Sequence, residues 1–132
     1  MNIQRTVIED LIRHARSQAP IEACGYLAQK DETVTAAFPM RNADASPEHF
    51  SFDPAEQFTV VRRMRTAGLR LRAVYHSHPA TPARPSAEDI RLANDPAISY
   101  VIVSLAGPRP DVKSFQIRNG QAAPEPLTII EE

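Results

Sequence analysis

The apolar residues of this chain are cut into short runs, and that limits what it can build. The most apolar stretch, Ile98 to Leu105, is far shorter than the roughly 20 residues a membrane span requires. Polar turns and prolines, 12 of them, separate the runs. Such a chain buries its apolar surface by assembling short strands with a few amphipathic helices. Its 132 residues match one domain.

Two segments carry helical periodicity. Val7, Leu11 and Ala15 recur at four-residue spacing, with Ile8 and Ile12 widening the stripe, which predicts a helix over residues 4–18 closed by Pro20. Asp53-Pro54-Ala55-Glu56 reads as a helix start: an N-cap aspartate, a proline at the first helical position and a glutamate at the capping-box position. Phe58, Val61 and Met64 would supply the inward face and Gly68 the stop. Strands are predicted over residues 24–30 and 33–40 about a Lys30-Asp31-Glu32 turn, with a loop over 41–47 and a short strand over 48–52. Residues 71–76 read as a buried strand and 98–105 as another. Edge strands over 111–118 and 122–129 flank the Asn119-Gly120 hairpin turn. Pro79, Pro82 and Pro85 force an extended loop before a short helix over about 86–94. The class is α/β.

Charge excludes some functions. With 15 basic and 16 acidic side chains the net charge is −1, which leaves no electrostatic footprint for nucleic acid or an anionic membrane. Arg62, Arg63, Arg65, Arg70 and Arg72 cluster and are read as a solvated helix face and turn, with docking of an acidic partner as the alternative. The start of the chain lacks a signal-peptide pattern and Cys24 is the single cysteine, so a reducing, cytoplasmic setting is expected.

The segment Tyr75-His76-Ser77-His78-Pro79 carries chemistry. On an extended backbone His76 and His78 project to one face and Ser77 to the other. Asp89 falls in the first turn of the following helix, where its carboxylate would complete a His₂Asp set with one coordination position open, the pattern of catalytic zinc. Each part also has an ordinary meaning. Ser86-x-x-Asp89 is a helix capping box, and two histidines one residue apart are often only a surface or core pair. Their joint occurrence, seven residues apart, favours the metal. His14 and His49 are read as a helix-face histidine and a strand or loop histidine.

His76-x-His78, seven residues, then Ser86-x-x-Asp89 resembles the signature of the JAMM (MPN-plus) metalloproteases. The Pro20-x-Glu22-x-Cys24-Gly25-x-Leu27 context is similar to that family's upstream glutamate segment, and the resemblance runs from about residue 3 to 128. It implies one JAMM/MPN-like domain over residues 1–132: a curved mixed β-sheet flanked by helices, with the zinc site at a strand end and a helix start. It implies that His76, His78 and Asp89 hold one catalytic Zn²⁺, that Glu22 is the general base for the attacking water, and that Ser86 donates a hydrogen bond to the developing oxyanion. Read without the family, Glu22 is merely a solvated charge, and Cys24 a small buried side chain or, alternatively, a thiolate ligand.

The chain resembles the small prokaryotic members, with no room for a long insertion after Asp89. The function this implies is cleavage of a peptide or isopeptide bond after the C-terminal Gly-Gly of a ubiquitin-like sulfur-carrier protein, with Thr81 and Arg84 as candidates to touch the tail. Two other readings stand beside it, a general or cell-wall-peptide metallopeptidase and a non-catalytic MPN-type interaction module. A homodimer is an admissible assembly.

Overall fold

The computed structural model describes residues 1–131. Its elements in chain order are β1 (Asn2–Gln4), α1 (Arg5–Gln18), β2 (Cys24–Lys30), β3 (Thr33–Met40), α2 (Pro54–Thr66), β4 (Arg70–His78), α3 (Ala87–Leu92), β5 (Ser99–Ser104), β6 (Asp111–Arg118), β7 (Gln121–Glu125) and β8 (Thr128–Ile130). All eight strands join one sheet in the order β7-β6-β5-β4-β2-β3-β1-β8. The sheet is mixed: β4 runs parallel to β5, and β1 parallel to β3 and β8, while the other pairs are antiparallel.

The sheet is strongly curved. β7 and β8 lie at opposite edges, yet only Pro126 and Leu127 separate them in sequence. A chain advances at most about 3.6 Å per residue, so the two edges must approach to within roughly 10 Å. The N-terminus helps to hold them there: Met1 donates its ammonium N–H to the Pro126 carbonyl at 2.7 Å, and its own carbonyl accepts from Thr128 at 2.9 Å.

The helix α1 sits inside the curl. Its stripe, Val7, Ile8, Leu11 and Ala15, packs with Ile3, Leu27, Val34, Ala73, Tyr75, Val101 and Val103. Strand alternation gives the opposite face to Tyr26, Ala28 and Val74, which meet Val60 and Met64 of α2, and to Ile102, Phe115 and Ile117, which pack with Ile90 beside Ala83. Burying one large apolar side chain contributes roughly 1.5–3 kcal/mol, so these layers fix the strand register. At Gly25 a Cβ would lie 2.4 Å from the Phe38 carbonyl oxygen and 2.6 Å from the Tyr75 ring, so only glycine fits. No helix among the described residues is long and apolar enough to cross a membrane.

Several expectations need correction. Residues 48–52 form no strand; Asn42 replaces a ladder there, its Nδ2 donating to the His49 carbonyl at 2.9 Å and its Oδ1 accepting from Asp44 and Ser51. The Asp53 side chain makes no capping bond, and the Glu56 carboxylate accepts instead from the Arg41 N–H at 2.9 Å. Phe58 is 65% exposed because the inward stripe of α2 runs through Val60 and Met64. The strand expected over 122–129 is two, one on each edge; β6 is interior, and β1 had no sequence counterpart. Arg72 is not solvated: it pairs with Glu125 at 2.9 Å, half of a bridge between β4 and β7.

Candidate metal centre

The end of β4 creates the site. His76 and His78 lie on the face of β4 that carries Val74, and both are buried. The Pro79–Pro85 connection then turns back, and Ser86 caps α3. Its Oγ accepts from the Asp89 N–H at 3.0 Å, while its own N–H donates to Asp89 Oδ2 at 2.9 Å. This reciprocal box fixes Asp89 in the first turn, aimed at the histidines.

Three donor atoms converge. His76 Nε2 lies 3.0 Å from His78 Nε2 and 3.2 Å from Asp89 Oδ2, and the third edge, His78 Nε2 to Asp89 Oδ2, is 3.1 Å. Ligands about 2.0–2.1 Å from a tetrahedral zinc lie about 3.3 Å apart, so the triangle fits one face of such a site. The proton inventory agrees. His78 Nδ1 sits 2.8 Å from the Pro82 carbonyl, which can only accept, so Nδ1 carries the hydrogen. In the neutral ring the Nε2 lone pair therefore faces the Asp89 carboxylate, an arrangement that calls for a cation between them. Without a metal, a proton does that work. Burial is the largest single influence on His78 and acts to lower its pKa, but the hydrogen bonds to Asp89 and the Pro82 carbonyl and the charges of Asp89 and Glu22 together raise it. Burial acts to raise that of Asp89, yet the hydrogen bonds from His76 and His78 hold it well below the usual carboxylate range.

Glu22 lies in the connection between α1 and β2. It is buried, and its Oε1 has no hydrogen-bond partner. Burial pushes its pKa up to about 8, opposed by the charge of His78 and reinforced by those of Asp89, Glu88 and Glu48. A carboxyl in this state is suited to taking and returning a proton near neutral pH. Sequence reasoning alone read Glu22 as solvated, and no local signal reveals the burial. Ser86 is exposed; its hydroxyl oxygen accepts the capping bond, which leaves its hydrogen available to a ligand.

The remaining flagged residues stand apart from the triangle. Cys24 is fully buried opposite His76 in the β2–β4 register, and burial pushes its thiol up to about 12, the environment of an inert thiol. His14 meets the Tyr75 hydroxyl at 2.8 Å on the α1 side of the sheet. His49 is in the loop, paired with Asp44 at 3.0 Å. The Thr81 carbonyl accepts from Ser104 Oγ at 2.6 Å, which steadies the loop whose Pro82 orients His78, and Arg84 is exposed. Sequence reasoning also missed Phe50, whose ring stacks on His76 with centroids 4.8 Å apart. A largely apolar cleft of about 280 Å³ includes His76 and Asp89 in its lining, together with Phe50, Phe52, Leu92 and Tyr100.

Residues 4–118 match the family described as prokaryotic homologues of the JAB domain. A CysO-cysteine peptidase of Mycobacterium tuberculosis is 37% identical over 133 residues, covering 98% of this chain and 91% of that protein. A desampylase of Haloferax volcanii is 37% identical over 106 residues, 75% of this chain and 76% of that protein. Among solved structures, a protein from Desulfitobacterium hafniense superposes with a TM-score of 0.92 at 46% identity, covering 99% of this chain and 93% of that one.

Proposed function

The chain belongs to the family of prokaryotic homologues of the JAB domain, and on that premise we propose that it is a zinc peptidase that cuts after the C-terminal Gly-Gly of a ubiquitin-like sulfur-carrier protein. It is a hydrolase of the JAMM type. The observation that carries the reading is the triangle of His76, His78 and Asp89 donor atoms, 3.0–3.2 Å on a side, whose protonation pattern calls for a cation. These three residues would hold the zinc. Bound there, it supplies Lewis acidity that makes water a nucleophile at neutral pH.

The other steps belong to the chain's own side chains. Glu22, buried and without a partner at Oε1, accepts the proton of the attacking water and returns it to the leaving amine. Ser86 donates its free hydroxyl hydrogen to the carbonyl oxygen as negative charge develops there. The Pro82 carbonyl keeps His78 in the tautomer that presents Nε2 to the site.

The substrate class follows from access. His76 and His78 are almost closed off from solvent, and the proline-braced loop stands beside them. A slender backbone reaches such a site most readily, and two consecutive glycines offer a backbone with no side chains to obstruct it. Kinship to a CysO-cysteine peptidase and to a desampylase supports the same class. The enzyme would work in the cytoplasm. Incubation of the purified protein with a carrier joined through its Gly-Gly tail to an amino acid or a protein tests this. Wild type should release the carrier, a chelator should stop it, and Glu22→Ala should lose turnover while retaining stoichiometric zinc. If carrier adducts stay intact while unrelated peptides are cut, the substrate assignment is wrong.

A further inference from the structure

Glu22 presents a positioning problem. A carboxylate held by its own hydrogen bonds needs little help from its backbone, but Glu22 Oε1 has none. Nor does Glu22 belong to a strand, since the β2 ladder begins at Cys24. Its aim must come from whatever fixes its main chain.

Both sides of the Glu22–Ala23 peptide plane are gripped by buried side chains from distant parts of the sequence. Its carbonyl accepts from Asn42 Nδ2 at 3.1 Å. Its N–H, that of Ala23, donates to Ser77 Oγ at 2.8 Å. The next carbonyl, that of Ala23, accepts from the Ser77 N–H at 2.9 Å, so Ser77 brackets Ala23 with side chain and backbone together. On the other side, the Glu22 N–H donates to the Ser46 carbonyl at 2.9 Å, and that carbonyl belongs to the loop Asn42 organises. Ser77 is 1% and Asn42 8% exposed, so water does not substitute readily for either.

The placement of Ser77 gives the bracket its meaning. It is the residue between His76 and His78, and strand alternation sends its hydroxyl to the face opposite the two imidazoles. The three residues therefore share one rigid stretch of β4, with the metal-binding rings on one side and the Glu22 anchor on the other. We propose that Ser77 and Asn42 are positioning residues that fix Glu22 relative to the His76–His78–Asp89 triangle, with Ser77 tying the general base to the strand that carries the two histidines. This rests on the assignment of Glu22 as the base.

The test is a double-mutant cycle in the carrier-cleavage assay, with zinc content and thermal midpoint followed throughout. Ser77→Ala should lower kcat by about 10- to 100-fold, the usual consequence of misplacing a reacting group by an ångström or less, with KM and zinc stoichiometry unchanged. In a Glu22→Gln background, where no base remains to be aimed, Ser77→Ala should cost no further rate while lowering the thermal midpoint as it does in wild type. An equal fall of kcat in both backgrounds, loss of zinc, or an unchanged kcat in the wild-type background would overturn the proposal. Asn42→Asp, which removes the donor to the Glu22 carbonyl but keeps the Oδ1 acceptor, carries the same comparison if Ser77→Ala does not fold. Full turnover by Glu22→Gln itself would refute the assignment of the base, a result distinct from failure of the cycle.

Discussion

Replacing Glu22 by glutamine should cut turnover steeply, to a small residual rate, and, in the metal-free protein, raise stability at neutral pH. The carboxyl is 4% exposed and burial moves its pKa from 4.5 to about 8. Between those values the native state holds a proton that the unfolded chain has released. Native stability is therefore undiminished by Glu22 below about pH 4.5 and falls as pH rises toward 8. The slope is about 1.4 kcal/mol per pH unit, which amounts to about 3 kcal/mol at pH 7. Glutamine has nearly the same shape and cannot ionise, so it escapes this loss. Urea titrations of the chelated wild type and Glu22→Gln from pH 4.5 to 8 would read the difference directly. The curves should meet near pH 4.5 and separate steadily above it, with the variant more stable. Adding zinc should shrink the gap, because a nearby cation favours the ionised carboxylate. A gap that does not change with pH, or a variant less stable than wild type at pH 7, would refute the argument that Glu22 is buried at a cost for the sake of its chemistry.

Three further outcomes follow from the same geometry. His78→Ala or Asp89→Ala should remove stoichiometric zinc, measured by elemental analysis, because each deletes one corner of the donor triangle. Ser86→Ala should lower kcat by roughly 10²–10³ through loss of the oxyanion donor, and should cost about 1 kcal/mol in denaturant titration through loss of the cap. Gly25→Ala should destabilise the fold by about 1–3 kcal/mol, since its Cβ would need the space held by the Phe38 carbonyl and the Tyr75 ring; a neutral effect on the urea midpoint would show that β2 and β4 can separate there.

The chain by itself determined what repeats along it or lies close together in it. The stripe of α1, the strands around residues 24–40, 70–78 and 99–104, and the Asn119-Gly120 hairpin were readable because each writes its own period or turn chemistry into neighbouring residues. The convergence of His76, His78 and Asp89 was readable for a related reason: the two histidines share a strand face and Asp89 sits on a capping box, so local geometry nearly brings them together. The same logic misjudged residues 48–52 and the inward face of α2, where Asn42 and the phase of Val60 and Met64 decided the outcome. It could not see β1, or that residues 122–129 divide between the two edges of the sheet, because the pairing of β1 with β8 closes a curled sheet through residues at opposite ends of the chain. It also could not see that Glu22 is buried, or that Asn42 and Ser77 hold its peptide from 20 and 54 residues away. Burial and orientation of a lone side chain depend on which distant strand lies beside it, and strand register is a property of the assembled sheet.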